Sequence, residues 1–444
     1  MNDTYELPIS TTDAAAGDAF NRSLKSFTGY DADLPEHAQA ALQADPHFVL
    51  GHCLWGYFML LAYSRATVPA AADALRAATQ HARGATPRER AHVRALERWI
   101  AGDLDGALRE WEQILGAWPR DVLALRLTHA NYFWLGRQAE MRASLERVAP
   151  HWAGDSGFMA CLAFSLEEAG DYDAAERMGR RAVELDPTEV WGAHAVAHVL
   201  EMQRRPVEGI AWLAGLEPHW RGKGLFLHHL LWHRAMFHLA GREFDAVLEL
   251  YDRRFRNLAS PLTSAMPDFY VDVQNAASML LRLELRGVAV GARWEELADK
   301  AEARIGDCLS AFTLPHWMMA LTAAGRWDAA GRMIEGMRAF AAAGVGTAAP
   351  LVRDCALPIS EALVARAKGD PARACDLMRP ALAGMSRLGG SHAQQDVLEQ
   401  LFLDCAVRAR RTDDIGALLA RVTGRHPVPP HQRIGYADAV SKVN

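Results

Sequence analysis

The sequence predicts an all-α fold of helical hairpins stacked into an α-solenoid, and three observations support this prediction. Prolines at positions 87, 119, 150, 187 and 218 are separated by 32, 31, 37 and 31 residues, the period of a helical hairpin repeat. Glycine turns recur between stretches of helical length, and patterns typical of β-strands are nearly absent. The turn glycines are Gly102, Gly136, Gly170, Gly241, Gly325 and Gly369.

The segments that end at Pro119 and Pro187 share one plan. In "GDLDGALREWEQILGAWP" and "GDYDAAERMGRRAVELDP", a small residue (Ala107 or Ala175) lies 12 residues before the proline. These segments resemble the second helix of a tetratricopeptide repeat, in which a small residue admits the neighbouring helix and the proline ends the helix. The resemblance implies a tetratricopeptide-repeat-like α–α superhelix.

The same patterns predict the domain organisation. Regular repeats are expected over about residues 36–255, and more divergent hairpins over about residues 256–425. Periodicity alone places the divergent hairpins around 268–305, 309–340, 355–386 and 391–424. We therefore expect a single array over residues 1–425, which could curl into a closed form. A C-terminal tail over residues 426–444 should contain at most one short helix.

Composition disfavours several classes of partner. A net charge of -6 and a pI near 6.3, without a lysine- or arginine-rich block, give no electrostatic footprint for nucleic acid or an anionic membrane. The N-terminus lacks the pattern of a signal peptide, and no apolar run has the length of about 18 residues that a membrane span needs. We expect a cytoplasmic protein with no nucleic-acid or membrane partner. A homo-oligomer is compatible with the sequence.

Several signatures occur in an order that points to one group of repeat proteins. Among them are "LPISTTDAA", "RERAHVRALE", "LALRLTHANYFWLG", "WGAHAVAHVLEM", "HLLWHRA" and "LGGSHAQQDV". Over nearly the whole chain this order resembles the tetratricopeptide repeat protein 38 family. The resemblance implies the fold and brings no activity with it.

The stretch "WGAHAVAHVLEM" at residues 191–202 puts polar residues on one face of a helix. The resemblance to tetratricopeptide repeats implies that first helices line a concave groove. Counting from Pro187 as the closing proline then places Trp191, His194, His198 and Glu201 on the groove face.

The next first helix continues this pattern. In "FLHHLLWHRAMFHL", His229, Trp232 and His233 form one helical stripe. The central candidates for catalysis are therefore His194, His198, Glu201, His229 and His233. The candidates for substrate binding begin with Trp191, Trp232, Arg126, His92 and His316.

One interpretation of the histidines is a metal site. Histidines at i and i+4 can chelate from one helix face, so His194, His198, His229 and His233 could hold a divalent metal such as zinc. Glu201 could complete the set or orient a ligand. The stretch "HAVAH" lacks the glutamate of the H-E-x-x-H zinc motif.

A second interpretation is metal-free acid–base chemistry. Imidazole titrates near neutrality, and Glu201 lies one helical turn from His198. Trp191 and Trp232 could wall a small-molecule pocket, and Arg126 could hold a carboxylate. No nucleophile motif accompanies them, so hydrolysis would need an activated water, and lyase or isomerase chemistry stays equally open.

A third interpretation is a non-catalytic scaffold that binds a protein or peptide partner. The histidines could also be purely structural, forming hydrogen bonds with other buried polar groups. Grooves that grip peptide C-termini typically offer lysine and asparagine, whereas this one offers histidine, tryptophan and glutamate. The sequence therefore favours a small-molecule pocket, with the scaffold as the alternative.

Further candidates lie in the divergent half. Ser391 and Gln394 fit a capping box that opens the last long helix. If the array curls, Gln395 and Asp396 could cover the groove as a lid. Asp272 is a further substrate-binding candidate.

Overall fold

The computed structural model describes residues 1–440, and these residues form consecutive α-helices. Two isolated β-bridges, Asn2 with Pro8 and Asp31 with Lys223, are the sheet-like pairings in this part of the chain. The predicted all-α fold of tetratricopeptide-repeat-like hairpins is confirmed. Within residues 1–440, every helix is too short or too polar to cross a membrane.

The first half of the chain contains thirteen helices among the described residues. They are α1 (Ala14–Gly29), α2 (Leu34–Ala44), α3 (Val49–Leu60), α4 (Val68–His81), α5 (Pro87–Ile100), α6 (Leu104–Ala117), α7 (Val122–Trp134), α8 (Gln138–Val148), α9 (Ser156–Glu168), α10 (Tyr172–Leu185), α11 (Val190–Met202), α12 (Pro206–Leu216) and α13 (Phe226–Ala240).

The second half also consists of consecutive α-helices, and several short helices lie between the longer ones. The helices are α14 (Phe244–Leu250), α15 (Pro261–Ala265), α16 (Tyr270–Glu284), α17 (Arg293–Ala303), α18 (Thr313–Ala323), α19 (Trp327–Ala343), α20 (Ala348–Leu351), α21 (Leu357–Ala367), α22 (Pro371–Gly384), α23 (His392–Arg408), α24 (Thr412–Arg425) and α25 (Ala437–Val440).

The divergent hairpins lie where periodicity placed them. The pairs α16 and α17, α18 and α19, α21 and α22, and α23 and α24 correspond to the four predicted hairpins. The tail carries the short helix α25, and the prediction for residues 441–444 lies outside the described residues.

The chain divides into two compact units. Unit 1 consists of Met1–Val196 with Pro218–Phe226, and unit 2 consists of Ala197–Glu217 with the chain from Leu227 onward. The boundary falls inside α11, so His194 belongs to unit 1 and His198 to unit 2.

Small residues let helices of unit 1 approach closely. A Cβ atom on Gly179 would lie 2.8 Å from Val196 Cγ2 and 3.2 Å from the carbonyl oxygen of Gly192. Helices α10 and α11 therefore pack almost backbone to backbone. This is the role expected of the small residue in a hairpin repeat.

Most of the turns use glycine because the backbone there is left-handed. Gly170, for example, has a φ of 83°, which a residue with a side chain adopts only with strain. At the turn predicted from Gly241, the left-handed residue is instead the following one, Arg242.

A network of buried charged side chains holds α5 and the start of α7 together in unit 1. Asp121 accepts hydrogen bonds from His92 Nε2 (3.0 Å) and Arg88 Nη1 (3.2 Å), and its other oxygen caps α7 through the Ala124 N–H (2.8 Å). Arg88 also pairs with Asp3 at 2.8 Å. Burial by itself would raise the pKa of Asp121, but His92 and Arg88 lower it far below its ordinary value.

We predict that Asp121→Ala destabilises the protein by about 3–5 kcal/mol, because it leaves the buried side chains of Arg88 and His92 without the carboxylate that they share. Since the pKa of Asp121 is depressed in the fold, its contribution is present above the unfolded value of about 3.9 and is lost as the pH falls below it. Denaturant unfolding at neutral and acidic pH measures both effects.

The control is Asp103→Ala, which removes a half-buried cap of α6 (Gly106 N–H to Asp103 Oδ1, 2.8 Å) and a surface ion pair with Arg98 (3.4 Å). It should cost about 1 kcal/mol. Equal losses for the two variants would contradict a special role of the buried network.

Candidate functional site

Three of the predicted catalytic histidines meet inside unit 2. His198 lies on α11, and His229 and His233 lie one turn apart on α13. All three are buried, and the ring of His233 is centred 4.4 Å from that of His198 and 4.7 Å from that of His229. One ring nitrogen from each lies within 4.8 Å of the others.

Two of these rings are oriented by oxygen atoms of neighbouring helices. His233 Nδ1 lies 3.0 Å from Glu201 Oε2, and His229 Nδ1 lies 3.0 Å from Asn275 Oδ1 on α16. An oxygen acceptor at Nδ1 favours the tautomer with the proton on Nδ1 and the lone pair on Nε2. A metal-binding histidine is commonly held in this way.

Aromatic packing fixes the same rings from another side. His229 stacks on Trp232, with ring centres 5.2 Å apart and planes inclined by 10°. The guanidinium of Arg282 lies over the Trp232 ring at 5.8 Å. Trp232 is thus a packing element of the cluster.

The electrostatics of the cluster follow from its burial. Burial lowers the pKa of His233 to about 3, with Arg282 contributing, and lowers the pKa values of His198 and His229 well below their ordinary range. The three imidazoles are therefore uncharged at neutral pH. Burial raises the pKa of Glu201 to about 8, Asp396 adds to the rise, and Arg282 opposes it.

Glu201 also faces a cavity of about 90 Å³ within unit 2. Arg282, Asp396 and Arg433 contribute charged groups to its wall, and Met236 contributes apolar surface. Glu201 thus stands between the histidine cluster and a polar cavity.

The C-terminal part of the chain forms one wall of this cavity. Asp396 on α23 accepts hydrogen bonds from Arg433 Nη2 (2.7 Å) and the Tyr436 hydroxyl (2.6 Å), and Arg282 Nη2 lies 3.5 Å from it. Burial alone would raise the pKa of Asp396, but Arg433 and Arg282 keep it below its ordinary value. The carboxylate therefore fastens the tail to α23.

A second group of metal-ligand types in unit 2 is poorly suited to a cation. Asp396, Glu399 and His426 offer atoms within 4.8 Å of one another. Asp396 pairs with Arg433, and Glu399 pairs with Arg425 at 2.9 Å. The arginines already neutralise these carboxylates, so no metal is needed there.

The other predicted residues of unit 2 make structural contacts and lie apart from the cavity wall. Asp272 pairs with His228 at 2.7 Å, and His316 Nδ1 bonds the Phe312 carbonyl oxygen at 2.8 Å. The Gln395 amide donates to the Gly389 carbonyl at 3.0 Å. The predicted capping box of Ser391 and Gln394 is present. A ligand-binding role for Asp272, His316 and Gln395 stays a prediction.

The remaining predicted residues belong to unit 1. His92 is part of the buried Asp121 network. His194 packs against Phe164 and Trp191, with ring centres 5.2 and 4.7 Å away. Trp191 donates its Nε1–H to His129 at 3.2 Å. Arg126 lines a different cavity, in unit 1.

Several residues that shape the site lay outside the predicted set. Asn275 and Arg282 come from α16, whose polar residues interrupt an apolar stretch and so gave a signal in the sequence. Arg433 and Tyr436 lie in the tail, where no periodic pattern marked them.

Comparison with known proteins gives a likeness of fold only. No protein-family model matches the chain. The human IFIT1 dimer with m7Gppp-AAAA is 14% identical, with a TM-score of 0.46, over 99% of this chain and 96% of that one. A monomeric IFIT1 mutant with Gppp-AAAA is 15% identical, with a TM-score of 0.42 and the same coverage. Naa15/Naa10 bound to HypK-THB is 13% identical, with a TM-score of 0.27, over 93% and 62%.

We predict that Tyr436→Phe loosens the tail, because it removes a hydrogen bond to a charged acceptor worth about 1.5–3 kcal/mol. Faster amide hydrogen exchange over residues 427–436 measures the effect. The control is Tyr251→Phe, whose buried hydroxyl has no hydrogen-bond partner among residues 1–440. Unchanged exchange in the Tyr436 variant would show that another contact holds the tail.

Proposed function

We propose that the chain is a helical-repeat metal-binding protein and that His198, His229 and His233 hold one divalent metal ion in unit 2. The observation that carries the proposal is the convergence of three buried imidazoles, two of which have Nδ1 held by Glu201 and Asn275. Imidazole ligands suit zinc, copper, iron and nickel, and three histidines with an open fourth position are one of the ligand sets of catalytic zinc.

Such a centre could act on a small molecule bound in the neighbouring cavity. A zinc ion with three protein ligands can activate a water molecule as a nucleophile. Arg282 and Arg433 on the cavity wall could attract an anionic group of a small molecule, and Asp396 limits their net charge. Hydrolase or lyase chemistry on a small polar molecule is the activity we propose, and metal-free acid–base chemistry by the histidines and Glu201 is the alternative route to it.

The scaffold alternative has its own support in the fold. Stacked helical repeats commonly offer extended concave surfaces to protein partners, and this fold therefore favours a non-catalytic scaffold more directly than it favours an enzyme. A peptide groove is disfavoured because the side chains concerned are buried, and a partner chain could not contact them without opening unit 2. These residues are His198, His229, Trp232 and His233. We also propose that the protein is cytoplasmic and belongs to the tetratricopeptide repeat protein 38 family.

We predict about one zinc ion per chain after incubation with zinc and removal of excess ion, measured by plasma mass spectrometry. The double variant His198→Gln/His233→Gln should lose it because two ligands are gone. The control is His431→Ala, which removes an exposed histidine of unit 2. Circular dichroism establishes that each variant is folded.

Metal retained by the folded double variant would overturn the assignment of the ligands. A folded wild-type chain that binds none of zinc, copper, iron or nickel would overturn the metal proposal and favour the scaffold.

We also predict that Asn275→Leu lowers metal affinity about 10–100-fold, because it removes the oxygen that orients His229. Asn275→Asp keeps an oxygen acceptor and should retain most of the affinity. Competition with a chromogenic chelator measures both variants. Equal affinities for the leucine and aspartate variants would contradict an orienting role.

A further inference from the structure

Unit 1 contains a cavity that the proposed metal site does not use. Its volume is about 150 Å³, and a protein cavity of about this volume holds a benzene-sized molecule. Groups of both charges line it: the cations are Arg126, Lys25 and Lys223, and the carboxylates include Asp155 and Glu189, beside the aromatic rings of Tyr5 and Trp152. Lys25 is exposed, and Lys223 is paired with Asp31 at 2.8 Å. A ligand for this cavity has to be small and has to match two opposite charges.

Arg126 supplies the positive charge. Its side chain is buried, with the guanidinium 4.9 Å from the centre of the Tyr30 ring and 5.9 Å from that of Trp191. It donates to Cys161 Sγ (3.0 Å) and to the Thr28 carbonyl oxygen (3.3 Å). Among residues 1–440, none of its nitrogens lies within 4.0 Å of a carboxylate oxygen.

A buried guanidinium without a counter-ion is costly, and its planar fork matches the two oxygens of a carboxylate. Glu189 acts on Arg126 electrostatically but forms no direct ion pair with it, so the guanidinium fork can take up the carboxylate of a ligand.

Asp155 and Glu189 supply the negative charge. A Cβ atom on Gly157 would lie 3.4 Å from Asp155 Oδ1 and 3.6 Å from Glu189 Oε2, so both carboxylates border the space that this glycine leaves open. Asp155 Oδ1 accepts the Phe158 N–H at 2.7 Å, and Glu189 Oε1 accepts the Trp191 N–H at 2.9 Å. These contacts hold the two carboxylates in place.

We propose that this cavity binds a small zwitterion of the α-amino-acid class. Its carboxylate pairs with Arg126, and its ammonium group lies between Asp155 and Glu189. A simple anion would add to the negative charge of Asp155 and Glu189, and a simple amine would add to the positive charge of Arg126. The volume limits the ligand to the size of glycine or alanine.

Calorimetric titration of the full chain tests the ligand class. Glycine and L-alanine should bind, whereas propionate, which lacks the ammonium group, and ethylamine, which lacks the carboxylate, should bind at least tenfold more weakly. Equal binding of propionate and alanine would overturn the zwitterion in favour of a plain anion site. An absence of binding for all four compounds at millimolar concentration would overturn the site itself.

Gly157→Ala tests the location. Its methyl group meets neighbours only at ordinary contact distances, so the fold should be retained while the ligand space is filled. Alanine binding should fall at least tenfold. The matched control is Gly116→Ala, where an added Cβ meets nothing within 4 Å. Unchanged binding in the Gly157 variant would overturn the assigned position, and the unit 2 variant His198→Gln/His233→Gln should bind alanine as the wild type does.

Discussion

The site in unit 2 depends on two hydrogen bonds, from His233 to Glu201 and from His229 to Asn275. A buried polar group that loses its partner costs about 1–3 kcal/mol, so these contacts fix the rings of α13 against α11 and α16. Because each ring is held at Nδ1 by a side chain of another helix segment, the packing of these segments sets the direction in which its Nε2 points. A chemical centre built in this way is as rigid as the hairpins that carry it.

Much of the fold was predictable because local physics determines it. The proline interval gave the hairpin period, and Gly170 and Gly179 occupy a left-handed turn and a close helix contact, both of which need a residue without a side chain. The helical spacing of His229 and His233, and of His198 and Glu201, also reports directly that each pair lies on one face of a helix. These features depend on residues within about one repeat length of each other.

The contacts between distant segments could not be read from spacing. Asn275 meets His229, and Arg433 and Tyr436 meet Asp396, only because hairpins far apart in the sequence pack together. The sequence pattern likewise grouped Arg126 and Trp191 with the histidines of α13. The structure assigns Arg126 and Trp191 to unit 1 and the histidines of α13 to unit 2, so each unit has its own polar cavity.

Anomalous X-ray scattering at the zinc absorption edge, from crystals of the zinc-loaded protein, would test the central claim most directly. We predict one anomalous peak per chain within bonding distance of a ring nitrogen of each of His198, His229 and His233, about 2.0–2.1 Å. A fully loaded crystal with its peaks only at surface side chains, and an ordered histidine cluster without metal, would contradict the account.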